Sequence, residues 1–520
     1  DESISKTRAL YQRKMELLQN VSTECLLIID GADYLSEEEL LPLASVSCSV
    51  IISSRNRYRN YEGFLLPPPS VQDLENMFYA YSGLENLPKQ TEYIDKIIER
   101  SGNHTLTVKL IACYCADLGY TAEDIVTQGF MDDLAEFDNE SEKVSTLFNF
   151  SRLSKDELYA MQVLSLFPHG VSKGTLQKID RELLKKYPPL VRKGWVNGGE
   201  TFALHQIVRE CVAKNTTIST LTIKPFLQRF VEIFRIIGLS DSELSVVVRQ
   251  MLDVISGEDR LMVVLLHRFG NFFCDIAYAS LFHVEKATYA AQDMNFVNQK
   301  NTNNEKLEMY ELSRKTNLRA YELAKKINLN EPELTAYILS YIGSSYFNEN
   351  NFGLALEYQL RALKEIENPI PIIGANYIVI LNRIGLSAFE YGDLVTAERA
   401  FLKYIGVVSE NHIQNGNLAM GEFNLANIYY RQGDLKKAEE FYLYALNHNT
   451  DDMAISFGMS EIYLSLADIC SRTNRTKQAK NYYLMSRNIK CNIINDKDKL
   501  NEFLNKYDIL YLNDDFSVKQ

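Results

Sequence analysis

Two short apolar segments near the start of the chain each end in side chains that could contact a ligand. The first is Cys25–Asp30, with the sequence CLLIID, and it closes on a carboxylate. The second is Val50–Ser53, and it leads into Ser54 and Arg55. Such runs predict buried, neighbouring parallel strands, and open α/β sheets bind ligands where their strands end. The alternatives are that Asp30 only caps a loop and that Arg55 is a surface residue.

Further segments follow in a definite order. Ser101–Thr107, with the sequence SGNHTLT, opens a predicted helix, and Leu158–Pro168 is a later apolar helical run. Leu190–Val196 then leads to Leu204–Glu210, which places His205 on an amphipathic helix. A histidine in that position is often a hydrogen-bonded core residue, which is the alternative to a ligand contact.

This succession resembles the STAND class of NTPases, in particular its NB-ARC-like type, over roughly residues 1–215. The resemblance implies a P-loop ATPase core, a small helical domain and a winged helix. Asp30 resembles the Walker B aspartate that holds Mg²⁺ through water, and Arg55 resembles the sensor arginine near the γ-phosphate. His104 and Thr105 lie in the segment that resembles the family's adenine contact, with Thr105 where the family often has proline. His205 resembles the histidine that contacts the β-phosphate of ADP.

The sequence departs from that family in its phosphate-binding elements. The pattern G-x-x-x-x-G-K-[ST] does not occur in it, and Gly31 follows Asp30 where an acidic residue would help to orient water. Either the chain is truncated just before residue 1 or the switch is degenerate. We expect truncation, because the sequence starts with Asp1 rather than Met and reaches the strand that resembles Walker B almost at once. ATP or ADP with Mg²⁺ is expected only in a complete protein that has the loop, and this chain alone is not expected to hydrolyse ATP.

Small residues recur at a fixed spacing in the back third of the chain. The first series is Gly343, Gly385, Ala426 and Ala467. The second series, 12 residues later in every repeat, is Ala355, Ala397, Ala438 and Ala479. Between the two series stand Asn350, Gly392, Gly433 and Asn474. Three of the second helices carry an aromatic residue shortly afterwards, at Phe401, Tyr442 and Tyr483. The pattern predicts paired antiparallel helices that pack closely at the small residues and are joined by left-handed turns.

These repeats resemble the tetratricopeptide repeat, in a long-helix variant, because the spacing exceeds the usual ~34 residues by about two helical turns. Stacked helix pairs form a concave surface that usually binds a partner, and a plain spacer is the alternative. The predicted partner contacts are Asn382, Arg383, Asn424, Asn427 and Arg431, within a polar set that also includes Ser340, Ser344, Asp468 and Arg472. Asparagine amides suit a peptide backbone and arginines suit carboxylates, so a protein or peptide ligand is expected.

Composition restricts the classes of protein. The net charge of −13 disfavours a nucleic-acid binder, and no apolar run is long enough to span a bilayer. The eight cysteines are scattered without metal-binding spacing, which indicates reduced thiols and a cytoplasmic location.

The fold expected from these observations is mainly α-helical. The expected domains are a partial NTPase core at 1–68, a small helical domain at 69–138, a winged helix at 139–215, a helical connector at 216–304, an α-solenoid of tetratricopeptide repeats at 305–490 and a helical tail at 491–520. The leading functional hypothesis is a nucleotide-switched signalling protein, in bacterial defence or transcriptional control, that forms a homo-oligomer when active. The alternatives are a non-catalytic scaffold and a DNA-binding regulator that acts through the winged helix.

Overall fold

The computed structural model divides the chain into two compact units, Asp1–Leu265 and Leu266–Gln520. The described part is mainly helical, as the sequence predicts. The structure describes residues 25–29, 40, 46, 48–53, 69–84, 88–127, 130–137, 139–150, 153–287, 295–368, 371–411, 415–448, 455–493 and 497–511.

The first unit contains two short strands, β1 (Leu26–Ile29) and β2 (Ser49–Ile52), that pair in parallel. The expected parallel pairing is therefore present. The expected burial is wrong at Leu26 and Ile28, which are 54% and 64% exposed, because a parallel strand is buried only where other elements cover both faces of the sheet. Asp30 and Arg55, which follow the two strands, lie outside the described residues.

Helices follow the strands in the first unit. They are α1 (Val71–Ser82), α2 (Pro88–Arg100), α3 (Thr105–Leu118), α4 (Ala122–Thr127), α5 (Phe130–Ala135) and α6 (Glu140–Phe150). Ser70 begins α1 through a reciprocal capping box with Asp73, and Gly83 ends it with a left-handed φ of 69°. The α2–α3 connection reverses direction through two left-handed residues, Gly102 and Asn103.

A mixed segment of helices and short strands comes next. Its elements are α7 (Lys155–Leu164), β3 (Val171–Ser172), α8 (Lys173–Ile179), α9 (Arg181–Leu184), α10 (Tyr187–Arg192), β4 (Thr201–Phe202) and α11 (Gln206–Asn215). β3 and β4 are antiparallel, with Val171 opposite Phe202. Trp195 is buried, and its ring meets Phe148 edge-on at 5.5 Å between centroids.

Three more helices lead to the second unit. They are α12 (Lys224–Ile233), followed by a 3-10 turn at Phe234–Ile236, then α13 (Asp241–Val254) and α14 (Arg260–Ala287). α14 begins in the first unit and continues into the second.

The second unit continues as helical pairs. Its helices are α15 (Asn295–Lys326), α16 (Pro332–Asn348), α17 (Phe352–Glu367), α18 (Ala375–Tyr391), α19 (Leu394–Glu410), α20 (Asn415–Gln432), α21 (Leu435–His448), α22 (Ile455–Arg472), α23 (Thr476–Ile493) and α24 (Lys497–Tyr511). The pairs α16–α17, α18–α19, α20–α21 and α22–α23 are the four predicted repeats, and the structure confirms them as stacked helical hairpins.

The small residues and the turns act as the sequence predicts. The second-series alanines at 355, 397, 438 and 479 have exposed fractions of 0%. At Gly385, a Cβ atom would lie 2.4 Å from the ring of Phe401, so this helix crossing has room only for glycine. The left-handed turn between the helices is present in all four pairs, with φ of 61°, 93°, 84° and 59° at Asn350, Gly392, Gly433 and Asn474.

Candidate functional site

A cavity of about 350 Å³ opens within the second unit, among the first two repeats and α14. Four helices supply its lining. The lining residues are Cys274 and Asp275 from α14, Tyr341, Ser344, Phe347 and Asn348 from α16, Gln359 from α17, and Asn382, Arg383, Leu386 and Ser387 from α18. The structure thus brings together Asn382, Arg383 and Ser344, which the sequence assigns to the predicted binding face.

The cavity lies where the repeat loses its aromatic wedge. Phe401, Tyr442 and Tyr483 each follow the second-series alanine by four residues, and all three are buried. Gln359 holds the equivalent position in the first repeat, four residues after Ala355. An amide there leaves a polar lining where the other repeats place a ring.

Gln359 is held in place by reciprocal hydrogen bonds. Its Nε2 donates to the Ser340 carbonyl at 2.8 Å, and the Ser340 hydroxyl donates to its Oε1 at 2.7 Å. Both side chains are buried, and their polar groups satisfy each other. The pair therefore forms a rigid polar floor between α16 and α17.

Arg383 is positioned by the same floor. Its Nη1 donates to Ser340 Oγ at 2.8 Å, and its guanidinium lies 4.7 Å from the centre of the Tyr341 ring. Burial raises the pKa of the Tyr341 hydroxyl, and the positive charge of Arg383 opposes that rise. The guanidinium is thus presented to the cavity in a fixed orientation.

Asn382, the neighbour of Arg383, has an unsatisfied polar atom. Its Oδ1 is buried and has no hydrogen-bond partner among the described residues. Burying an amide oxygen without a partner costs about 1–3 kcal/mol. A ligand that lets this amide reorient and form a hydrogen bond would recover that cost.

The other three predicted partner contacts lie away from the cavity. Tyr442 donates its hydroxyl proton to Asn427 Oδ1 at 2.5 Å. Arg431 donates to the Phe389 carbonyl at 2.8 Å and lies over the ring of that residue. Asn424 is half-buried on α20. Asn427 and Arg431 therefore already have internal partners, which distinguishes them from Asn382.

In the first unit, His104 and Thr105 mark the start of α3. His104 is the N-cap residue, but its side chain does not cap the helix. Its Nδ1 lies 3.6 Å from Glu140 Oε2 on α6. Thr105 is exposed. The start of α3 therefore lies beside α6, with the His104 imidazole close to the Glu140 carboxylate.

His205 begins α11. Its Nδ1 accepts a hydrogen bond from the backbone N–H of Ile207 at 3.3 Å, and the side chain is exposed. The alternative of a buried core histidine is therefore wrong. With Nδ1 committed to the cap, Nε2 is the nitrogen that can meet a ligand.

Only part of the predicted site for a nucleotide with Mg²⁺ lies among the described residues. The exposed Nε2 of His205 suits a phosphate oxygen, but Asp30 and Arg55 lie outside the described residues. Within the described ranges, no group of three or more His, Cys, Asp or Glu side chains could hold a metal ion. Among the described helices, none combines the length and the apolar character that a bilayer-spanning segment needs.

Several cavity residues are missing from the sequence-based prediction. Asp275 and Cys274 come from α14, which precedes the repeats and has no position in their register. Gln359 and Ser387 could have been found by aligning the four repeats. Ser387 stands where later repeats have Ile428 and Ile469, just as Gln359 replaces an aromatic residue.

Comparison with known proteins supports the repeat assignment. The tetratricopeptide-repeat family profile matches residues 419–452, so the predicted tetratricopeptide repeats are confirmed there. Among curated proteins, no match to this chain was found.

Three of the similar solved structures share little sequence identity with this chain. A signal transduction ATPase with numerous domains (STAND) and a tetratricopeptide-repeat sensor, from Pyrococcus horikoshii, is 15% identical, with 98% of this chain and 85% of that chain covered and a TM-score of 0.34. The apo form of RapI is 13% identical over 58% and 79% of the two chains, with a TM-score of 0.36. The Rap conjugation regulator of plasmid pLS20, in complex with the Phr* peptide, is 12% identical over 68% and 80%, with a TM-score of 0.33. Since all three scores lie below 0.5, the fold rests on the repeat match and the helix pairs.

Proposed function

We propose that the repeat array is the sensor of a signalling protein and binds a protein or peptide partner. The polar cavity at Asn382 and Arg383 carries the proposal. Tetratricopeptide repeats commonly present an interaction surface, and this cavity opens among the first two repeats of the array. The partner anchors in the cavity, and a longer partner continues toward Asn424, Asn427 and Arg431.

The chemistry of the cavity suits a peptide. The amide of Asn382 can both donate to and accept from a peptide backbone. Arg383 presents a planar group that can bind a carboxylate through two hydrogen bonds. Phe347 and Leu386 add apolar contact area beside these polar groups.

We further propose that residues 1–215 form a nucleotide switch of the NB-ARC-like STAND type. In it, Asp30 holds Mg²⁺, Arg55 senses the γ-phosphate, His104 and Thr105 contact adenine, and His205 contacts the ADP phosphate. The order of the sequence motifs supports this proposal. The parallel pair β1–β2 and the exposed His205 at the start of α11 are consistent with it. Residues 139–215, which include the β3–β4 pair, would be the winged helix.

The charge pairing in the first unit disfavours the alternative of a DNA-binding regulator. Lys185 pairs with Glu182 at 2.7 Å, and Lys186 pairs with Asp156 at 2.7 Å. Lys193 pairs with Glu157 at 3.0 Å. Phosphate binding by these lysines would compete with their carboxylate partners.

A peptide array tests the sensor proposal. The purified chain is applied to an array of random decapeptides whose ends are acetylated and amidated. The double variant Asn382→Ala/Arg383→Ala should lose about tenfold to a hundredfold in affinity for the strongest sequences, since hydrogen bonds to charged groups contribute about 1.5–3 kcal/mol. Gln359→Phe, which restores the aromatic wedge, should also weaken binding.

Arg399→Ala is the matched control, because Arg399 is an exposed arginine on α19 outside the cavity. It should bind the array like the wild type. Circular dichroism should show the same helix content in all variants. Undiminished binding by both cavity variants would contradict the proposal.

A further inference from the structure

We infer that the cavity between α14 and the first two repeats takes a small zwitterion, a free α-amino acid or a dipeptide, by its carboxylate and its ammonium together. The inference rests on the proposed role of this cavity as the binding site. It adds the chemical class of the ligand and a second charged wall, that of Asp275.

The volume of the cavity sets the size of the ligand. About 350 Å³ is the space of roughly twelve water molecules at ~30 Å³ each. It lies near the lower end of the range for small-molecule sites, about 300–1,000 Å³. A free amino acid or a dipeptide, with about ten to fifteen non-hydrogen atoms, fits this space.

Arg383 supplies the positive wall. In the described structure its one hydrogen bond is the 2.8 Å contact from Nη1 to Ser340 Oγ. A guanidinium has five N–H donors in a fixed plane, so most of them remain for a ligand. Stacking on Tyr341 holds that plane in one orientation. This arrangement suits both oxygens of one carboxylate.

Asp275 supplies the negative wall. It lines the same cavity from α14. Both charges act on Tyr341, which also lines the cavity: Asp275 raises the pKa of its hydroxyl and Arg383 lowers it. A carboxylate has several acceptor positions, so Asp275 can accept from a ligand ammonium as well as from a partner within the protein.

The presence of both charges selects among ligand classes. A phosphate or another multiply charged anion would be attracted by Arg383 but repelled by Asp275. A simple cation would be attracted by Asp275 but repelled by Arg383. A zwitterion complements both charges at once, because its carboxylate can bind Arg383 while its ammonium donates to Asp275. Ser344, Asn348 and Ser387 line the space between the walls with neutral polar groups.

Thermal shift and calorimetric titration of the full chain test the inference. The probes are the twenty free L-amino acids and a set of dipeptides, each compared with its N-acetylated and its C-amidated form. At least one free probe should raise the melting temperature, and either modification should weaken its binding by tenfold or more. The modified probes leave the protein unchanged, so they do not depend on any variant folding correctly.

Two variants test which charged side chain binds each end of the ligand. Arg383→Gln should weaken binding of the free probe by tenfold or more. It should change the affinity of the C-amidated probe by less than about twofold, because an uncharged amide forms no ion pair with Arg383. Asp275→Asn should show the same pattern with the N-acetylated probe. Arg399→Gln, outside the cavity, should leave every affinity unchanged.

The outcomes separate the two proposals. If modified and free probes bind equally, the zwitterion inference is wrong. It is also wrong if no small probe binds while the end-capped decapeptides still do, and the sensor proposal then stands. If neither the small probes nor the decapeptides bind, both proposals fail.

Discussion

His267 lies buried in the core of the second unit, and its ring contacts Tyr341, which lines the cavity. Its Nδ1 donates to Asn317 Oδ1 at 2.9 Å, and Asn271 Nδ2 donates to its Nε2 at 3.2 Å. These two amides fix one neutral tautomer of the imidazole. The ring also meets Tyr337 and Tyr341 edge-on, at 5.5 and 5.6 Å between centroids. His267 therefore helps to hold the aromatic ring on which Arg383 is stacked.

Burial of His267 makes the second unit sensitive to acid. Desolvation lowers the pKa of His267 from 6.5 to about 4, while the hydrogen bond to Asn317 opposes the shift and the charges of Arg268 and Arg383 add to it. As the pH falls below about 6.5, the unfolded chain gains a proton at His267 that the native chain does not. This residue should therefore lower the free energy of unfolding by about 2–3 kcal/mol between about pH 6.5 and pH 4.

Urea unfolding of the wild type and of His267→Gln, at about pH 7 and about pH 5, measures this effect. The glutamine keeps an amide for its neighbours but does not titrate. Its free energy of unfolding should fall less between the two pH values than that of the wild type. Equal losses in both proteins would show that His267 is not the acid-sensitive group.

At the scale of the element, the turns decide where each first helix ends. Asn350, Gly392, Gly433 and Asn474 all have a positive φ, which disfavours residues with a bulky or branched side chain. At Gly392, where φ is 93°, no atom lies within 4 Å of the position that an added Cβ would occupy, so the backbone conformation alone limits substitution.

Two glycine substitutions isolate that backbone effect. Gly392→Ala should destabilise the array by about 1–2 kcal/mol through left-handed strain. Gly406 lies inside α19, and a Cβ there also has no atom within 4 Å. Gly406→Ala should instead stabilise the array by about 0.5–1 kcal/mol through helix propensity. Thermal unfolding measures both changes, and a shift of the same sign in the two variants would contradict this account.

The repeats could be predicted in detail because a helical hairpin is specified locally. Small residues at the crossings and left-handed residues at the turns recur within each 41- or 42-residue unit. The cavity was only half predictable, for two different reasons. Asn382 and Arg383 belong to the repeat register, whereas Asp275 reaches the cavity from α14, and the sequence pattern does not show which side chain of a preceding helix packs there. Similarly, the apolar run of β1 predicts a strand but not which elements cover it.

At the scale of the whole molecule, the proposals assign different roles to the two units. The second unit contains the confirmed helical repeats and the polar cavity, and its proposed role is to bind the partner. The first unit contains His104 and His205, whose proposed role is to contact the nucleotide. Signalling by such a protein would require that the partner bind one conformation of the chain more tightly than another.

The lack of a G-x-x-x-x-G-K-[ST] segment in this sequence leads to a prediction about ATP turnover by this chain. Phosphoryl transfer depends on a backbone cradle and a lysine that position and neutralise the β- and γ-phosphates. The sequence has no G-x-x-x-x-G-K-[ST] segment to supply them, and Gly31 stands next to Asp30 where a second acidic residue would orient water. Purified chain with Mg²⁺ and ATP should therefore release phosphate at the rate of the protein-free buffer. Asp30→Ala should release phosphate at the same rate, whereas turnover that this substitution abolishes would show that the chain builds a catalytic phosphate site from other residues.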